Sequence, residues 1–531
     1  MKSFVQKHAA GVMGILSGFD RLVFRGSLRE ICYAEGMRRY LGAAGVLLKE
    51  FGAHVEAVTE RIKAASLKAA GTLGREVRYL PSAQARKEEI AREIAARDGI
   101  TEGLTCLPPQ RGRQVCVLTS VEPCSSFEIH RNRVAKRLEV KPRMRKCLHH
   151  YHYWMHPTFG LMHARIQTWF PLTIQVCLNG REWLARSLDR GGVDYRKREN
   201  CFVWLADVKK AQQRLDRQLT TDWPKVLDRI ARQVNPAHAE IFDPWPLTYY
   251  WSTYQSEWAT DVMFRDAKVL AALYPQLVRH GITTFSSPDV MRFLGRKVPA
   301  NGAFHGGFTS QVISDLKVRP EGVRIKHRVG GNSVKMYDKQ GTVLRVETTI
   351  NEPRDFKVYR PAEGGRADAL AWRPMRRGVA DLYRRGKVSQ TVNERYLHAL
   401  AQVDTEEPLG HLTDGLCRPV KWKGKRVRAL HPWGQDAACL EVISRGEFAL
   451  NGFRNRDLRE HLFASAASSR DEVRRRSGQV TRKLRILRGH GLIKKVPRTH
   501  RYVLTKKGQA IVVALGAARN ASPRQLAELA A

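Results

Sequence analysis

The sequence contains no Cys-x-x-Cys pair. Its nine cysteines (Cys32, Cys106, Cys116, Cys124, Cys147, Cys177, Cys201, Cys417 and Cys439) are odd in number and scattered. That excludes a disulfide framework and gives a zinc ribbon no ligand spacing. No run reaches the ~18 consecutive apolar residues that a membrane helix needs. The opening segment MKSFVQKHAAGVMGILSGFDR also lacks the apolar stretch and cleavage site of a secretory signal. A cytoplasmic protein with reduced thiols is expected. Internal repeats and low-complexity tracts are missing too. Acid is the scarcest class relative to its partner: 51 Asp plus Glu stand against 92 Lys plus Arg, a net charge of +41. A surplus of this size repels itself and is relieved by a polyanion. It is spread along the chain, which implies a long nucleic-acid track, DNA with RNA as the competing polymer. With no basic amphipathic segment outside the folded regions, a membrane is not expected as partner. An oligomer is compatible with all of this.

What is present suffices for real cores: 43% of the 531 residues are hydrophobic, enough chain for roughly three domains. The pattern predicts a mixed α/β (α+β) multi-domain fold. Residues 1–105 read as mostly helical, with helical composition from Met37 to Ile100 and Ser82 as an N-cap after Pro81. Residues 106–300 read as a central α+β nucleic-acid-binding body with antiparallel strands. Residues 301–375 form a β-meander, 376–431 a basic linker and helix, and 432–531 a compact C-terminal domain. Within the body, Val115–His130 is strand-like and Lys136–Lys146 is dense in base. Asn179-Gly180 marks a turn before a helix at Arg181–Leu188. Trp251–Leu273 reads as a helix, with Glu257 and Asp261 four apart on one face. Ser287 is expected as a cap with Pro288 at the first helical position. Asn301–Gly307 is Gly-rich without a phosphate-loop pattern.

Three clusters carry candidate chemistry. Asp20 lies in a strand-like stretch, FDRLVF, and an acidic residue on an early strand is how many polynucleotidyl transferases hold their first metal ligand. Its bland role is a surface ion pair with Arg21 or Arg25. The stretch Lys146–Leu184 interleaves aromatics with base. On strands these side chains can stack bases while Arg165 and Arg181 neutralise phosphate. Alternation places His150, His152, Trp154 and His156 on one face, so His150 and His152 can share one divalent ion or pack in a core. His150-Tyr151-His152 resembles the paired-histidine motif of HUH nickases. That resemblance implies tyrosine nucleophiles, for which Tyr250 and Tyr254, four apart, are the candidates. The intervening Tyr151 and the distance of about a hundred residues to the tyrosines depart from that pattern. The strings KMYDK and LRVE resemble rolling-circle replication initiators, which implies Asp338 and Glu347 as acidic metal ligands. The alternative is a plain hairpin with Glu347 paired to Arg345 or Lys335. Magnesium or manganese is the cofactor either resemblance implies.

The C-terminal stretch RDEVRRRSGQVTRKLRILRGHGLIKKVPRTHRYVLT sets Val473, Val480, Leu484 and Leu487 on one side of a 3.6-residue period. Arg474, Arg475, Arg482 and Arg485 fall on the other. Two short strands follow around a basic tip with Lys494, Lys495, Arg498 and Arg501. From about Pro432 to Ala518 this resembles a MarR-like winged-helix domain, which implies a DNA-reading helix and wing; some winged helices contact protein instead. Together these features point first to a transposase- or replication-initiator-like protein of a mobile or replicating element, cleaving or transferring strands with a metal. A non-enzymatic RNA- or DNA-binding protein, such as a ribonucleoprotein component, is the alternative. A winged-helix transcription regulator comes third.

Overall fold

A computed structural model describes residues 1–100, 113–283, 285–296, 312–319, 322–362, 364–366, 368–401, 409–444, 448, 452–463, 465, 467–496 and 499–522. Cys106, Pro108, Pro109, Lys297, Asn301–Gly307 and Arg498 lie outside the described residues. The chain is a mixed α/β protein of two compact units, each gathered from separate stretches of sequence. Its strands in chain order begin with β1 (Val12–Ser27), β2 (Glu76–Tyr79), β3 (Arg113–Asn132), β4 (Arg137–His156), β5 (Gly160–Gln167) and β6 (Ile174–Asn179). They continue with β7 (Tyr195–Arg198), β8 (Cys201–Leu205), β9 (Tyr250–Phe264), β10 (Val312–Arg319), β11 (Gly322–Val329), β12 (Asn332–Lys339) and β13 (Val343–Ile350).

The larger unit comprises residues 12–265 and 339–393. Its sheet runs β13-β9-β1-β6-β5-β4-β3-β2. The strands pair antiparallel except β2, which runs parallel to β3. One face carries Phe19, Leu22, Phe24, Trp154, Ile166, Val176 and Trp258, packed on helices Ala34–Ala43, Phe51–Thr72 and Trp223–Val234. On the other face, Leu16, Met263 and Val343 pack with helices Gly180–Asp189 and Val208–Asp216 and with β8. Farther along that face, helix Lys87–Arg97 covers Val115, Leu118 and Tyr153.

Two sequence expectations change here. The stretch from Trp251 is a strand before it is a helix: β9 ends at Phe264 and a helix occupies Ala267–Thr283. The reason is the run of β-branched and aromatic residues in WSTYQSEWATDVMF, which packs on both faces of a central strand. Ser82 caps no helix; its Oγ accepts from the Gln84 amide, and the helix begins at Lys87.

The smaller unit comprises residues 1–11, 266–338 and 394–531. β10, β11 and β12 pair antiparallel in succession. Helix Ser287–Phe293 is capped by Ser286 rather than Ser287, and Asp289 reaches back to the Ser286 amide at 2.8 Å to close a capping box. The C-terminal part orders helices Ala437–Ser444, Asn455–Leu462 and Arg470–Gly489, strands Ile493–Lys495 and Tyr502–Leu504, and helix Lys506–Asn520. They enclose Leu440, Ile443, Phe453, Leu458, Val480, Leu484, Leu487, Leu492, Ile511 and Leu515. Gly452, at φ +60°, lets the chain enter this core: a Cβ there would lie 2.1 Å from the Tyr502 carbonyl oxygen. Phe453 then bridges to Tyr502 beside the hairpin.

Candidate functional site

The centre of the larger unit's sheet collects acid from three neighbouring strands. Asp20 is an extra residue in β1: Phe19 faces Trp258 and Arg21 faces Glu257, which leaves nothing opposite Asp20. Such a bulge re-aims a side chain and is common beside active sites. Glu257 and Asp261 share a face of β9 by the two-residue period. Arg345 and Glu347 follow on β13, opposite Asp261 and Ala259. One carboxylate oxygen from each of Asp20, Glu257 and Glu347 lies within 4.8 Å of the other two. This is the one such group of three or more metal-ligating side chains among the described residues, and it could hold a metal ion.

Two buried arginines set its geometry. Arg345 donates through Nε and Nη2 to the two oxygens of Asp261, at 2.6 and 2.8 Å, and through Nη1 to Asp20 at 3.0 Å. Arg181 lies 3.0 Å from Asp261 and 3.4 Å from Asp20, and donates to the Ala259 carbonyl at 3.1 Å. Arg181 is placed by its helix start. The Asn179 side chain accepts from the Arg181 and Glu182 amides. Gly180 approaches so closely that a Cβ would sit 1.9 Å from the Phe19 carbonyl oxygen. Asp20 and Asp261 thus share two buried guanidiniums, while the Lys339 charge acts on Asp261 and Arg21 is coupled to Glu257. The Nη1 of Arg181 is buried without a hydrogen-bond partner, a donor suited to an oxyanion.

The protonation states follow. Burial pushes the Asp20 carboxyl upward; Arg345 opposes this, and the neighbouring Glu347 charge adds to the rise. Burial acts on Asp261 as well, but Arg345 and Arg181 outweigh it and hold that carboxyl below its ordinary value. Asn200 donates to Asp20 at 2.9 Å and also lines an open cleft of about 1250 Å³ with Asn179, Glu182, Arg186, Lys197 and Tyr195. Asn200 thus stands between the cleft and Asp20, and none of Asp20, Glu257, Asp261 and Glu347 lines the cleft itself. Its floor is charged but paired: Glu182 contacts Lys197 and Arg186.

The other sequence candidates fall as follows. Asp20 and Glu347 come together; Glu257, read on a helix, joins them from a strand. Asp338 belongs to the smaller unit and is not in the group. Tyr250 and Tyr254 share no helix face. Tyr250 lies under the Arg29 guanidinium at 3.3 Å, and Tyr254 is the extra residue of a second β1–β9 bulge, exposed. His150 and His152 do share a face of β4 with Trp154, on which the His152 ring stacks. Both are buried, their rings 6.4 Å apart. His150 Nδ1 meets Ser66 Oγ at 3.0 Å, while the Nε2 atoms have no protein partner. Burial lowers their pKa values to about 4 and about 3, so both are neutral near pH 7. Among the described residues, no carboxylate completes a group of three with them.

Arg181 is corrected from a phosphate contact to a fully buried organiser of the acids. Arg165 is half-buried and binds Glu122 and the Tyr151 hydroxyl at 3.1 and 3.2 Å. In the smaller unit Arg474, Arg475, Arg482, Arg485, Lys494 and Lys495 are exposed. Val473, expected on the packed side, is exposed too. Arg501 is buried and donates to the Gly452 carbonyl, so it is a strut of the hairpin and not a surface contact. No described helix is long and apolar enough to cross a membrane. Comparison with family models, with curated proteins and with solved structures finds no match to this chain.

Proposed function

We propose that the protein is a metal-dependent phosphodiester-cleaving or strand-transferring enzyme acting on nucleic acid, DNA first, of the kind that serves a mobile or replicating element. The observation that carries this is the convergence of Asp20, Glu257 and Glu347 oxygens within 4.8 Å, inside a chain of net charge +41. Asp20, Glu257 and Glu347 would hold magnesium or manganese. The ion would polarise a phosphate oxygen and lower the pKa of a bound water. Arg345 and Arg181 keep Asp20 and Asp261 in place. The C-terminal part supports a duplex-reading role. Its order of helix, helix, helix, hairpin, helix and its exposed Arg474, Arg475, Arg482 and Arg485 suit a winged helix on DNA.

The second reading is a non-enzymatic nucleic-acid binder. The observation favouring it is that Asp20 and Asp261 are already engaged by buried arginines, as in a purely structural ion network. Incubating the chain with labelled single-stranded and duplex oligonucleotides and Mg²⁺ or Mn²⁺ separates the two. Cleavage is expected with the wild type and should fall at least ~100-fold in Glu347→Gln. Cleavage undiminished in that variant, or none with either ion, leaves binding as the function. A covalent protein–DNA adduct lost in Tyr254→Phe would instead favour the tyrosine mechanism.

A further inference from the structure

β3 and β4 pair from Arg113 opposite Met155 to Asn132 opposite Arg137, and after one bulge at Val115 the register runs unbroken from Cys116 opposite Tyr153. Their outer neighbours are much shorter: β5 reaches β4 only from His149 onward, and β2 touches β3 only over Cys116–Thr119. Residues 121–132 and 137–148 therefore continue as a two-stranded ribbon, packed on the core as far as Ile129 and Val140 and free beyond them for roughly 10 Å of strand at ~3.3 Å per residue. Its root is anchored. Phe127 and Val140 enter the main core, and Ser126 Oγ donates to the Phe170 carbonyl at 2.7 Å.

Residues 128–146, the tip and the outer flank of the ribbon together, carry eight lysines and arginines against two glutamates. Arg131, Arg133, Lys136, Arg137, Lys141, Arg143, Arg145 and Lys146 are all exposed. The two glutamates are answered within the ribbon: Arg143 binds Glu128 at 2.8 Å and Arg137 binds Glu139 at 3.0 Å. The turn is ordered, with Asn132 Oδ1 accepting from the Ala135 amide at 2.9 Å and Asn132 Nδ2 donating to Glu139 at 3.0 Å. At its tip, flanked by Arg133 and Lys136, Val134 is 97% exposed.

We propose that this ribbon is an arm for duplex DNA, with its lysines and arginines along the phosphates and Val134 set against a base step at the tip. β-ribbons enter the grooves of B-form DNA, and an apolar side chain wedged into a base step partly unstacks it and kinks the duplex. The deep, narrow major groove of A-form RNA does not admit a ribbon, which selects DNA. The inference rests on the reading that the chain acts on nucleic acid but is independent of the carboxylate centre.

Its test uses the full chain in EDTA, so that a failed metal centre changes nothing, and fluorescence anisotropy with a labelled DNA duplex. The variant Arg131→Ala, Arg133→Ala, Lys136→Ala should bind at least ~10-fold more weakly at low salt. The slope of log affinity against log salt should flatten by about 2–3, at roughly 0.9 per lost phosphate contact. Binding to an RNA duplex of the same sequence should be unaffected. Val134→Ser should keep most of the affinity but lose the bend reported by energy transfer between the duplex ends. Glu347→Gln should bind as the wild type does. Wild-type affinity and slope in the triple variant overturn the arm. An equal loss on the RNA duplex overturns the choice of DNA, and an undiminished bend in Val134→Ser overturns the tip contact.

Discussion

At the scale of single residues, Asp20 decides how the acidic centre responds to pH. Its carboxyl is raised chiefly by burial and further by Glu347, against the pull of Arg345 and Arg181. An acid whose folded pKa exceeds its unfolded one adds stability below the ordinary carboxylate range. It loses that contribution as pH rises through the folded value. Asp20→Asn keeps an oxygen to accept from Arg345 and Asn200 but has no proton to lose. Urea melts across weakly acidic to neutral pH should show the variant gaining on the wild type as pH increases. A divalent ion should reverse the order near neutrality, because binding to the wild type displaces the proton and neutralises the cluster. A constant gap across pH would mean that Asp20 ionises normally. Asp20 and Glu347 were legible in the sequence, since each is an acid inside a strand-like run. Arg181 was not. A fully buried arginine and a phosphate-binding one are the same letter, and only Gly180 pressed on Phe19 turns it inward.

At the scale of elements, β9 shows where periodicity fails. Glu257 and Asp261 are four apart, and four residues return a side chain to the same face in a helix and in a strand alike. The spacing therefore revealed a shared face and concealed which element carried it. β-branching in STYQSEWATDVMF was the better guide. The bulges that aim Asp20 and Tyr254 leave no sequence trace, because they depend on which residue of a distant strand stands opposite. The reverse face of β9 has its own constraint. Asn393 donates to the Trp258 and Val346 carbonyls at 3.2 and 3.0 Å, and accepts from the Thr348 hydroxyl at 2.6 Å. It is fully buried, so Asn393→Ala strands several polar groups at once and should cost about 2–4 kcal/mol in urea unfolding. The same substitution slackens the strands that present Glu257 and Glu347. Metal affinity measured by calorimetry should fall with stability, and an effect under ~1 kcal/mol would show that the strands are held elsewhere.

At the scale of the whole molecule, the dominant physical fact is the charge of +41. It was readable at once, whereas which carboxylates meet was not, because β1, β9 and β13 are drawn from opposite ends of a long stretch of chain. Several ion pairs are local and exposed, such as Arg38 and Arg39 on Glu35, and contribute little. The excess cations must therefore repel one another through solvent, over ~30 Å at 0.01 M salt and ~10 Å at 0.1 M. Two measurements on the same protein should consequently move in opposite directions. Raising the salt concentration over that range should raise the melting temperature of the free chain by screening self-repulsion. It should lower the affinity for DNA steeply by counterion release. A short DNA duplex at low salt should stabilise the chain more than salt alone does, since it neutralises the surplus and binds the folded form in preference to the unfolded one. A free chain whose melting temperature falls with salt would place its cations in stabilising pairs, and would remove the reason to expect a polyanion along its surface.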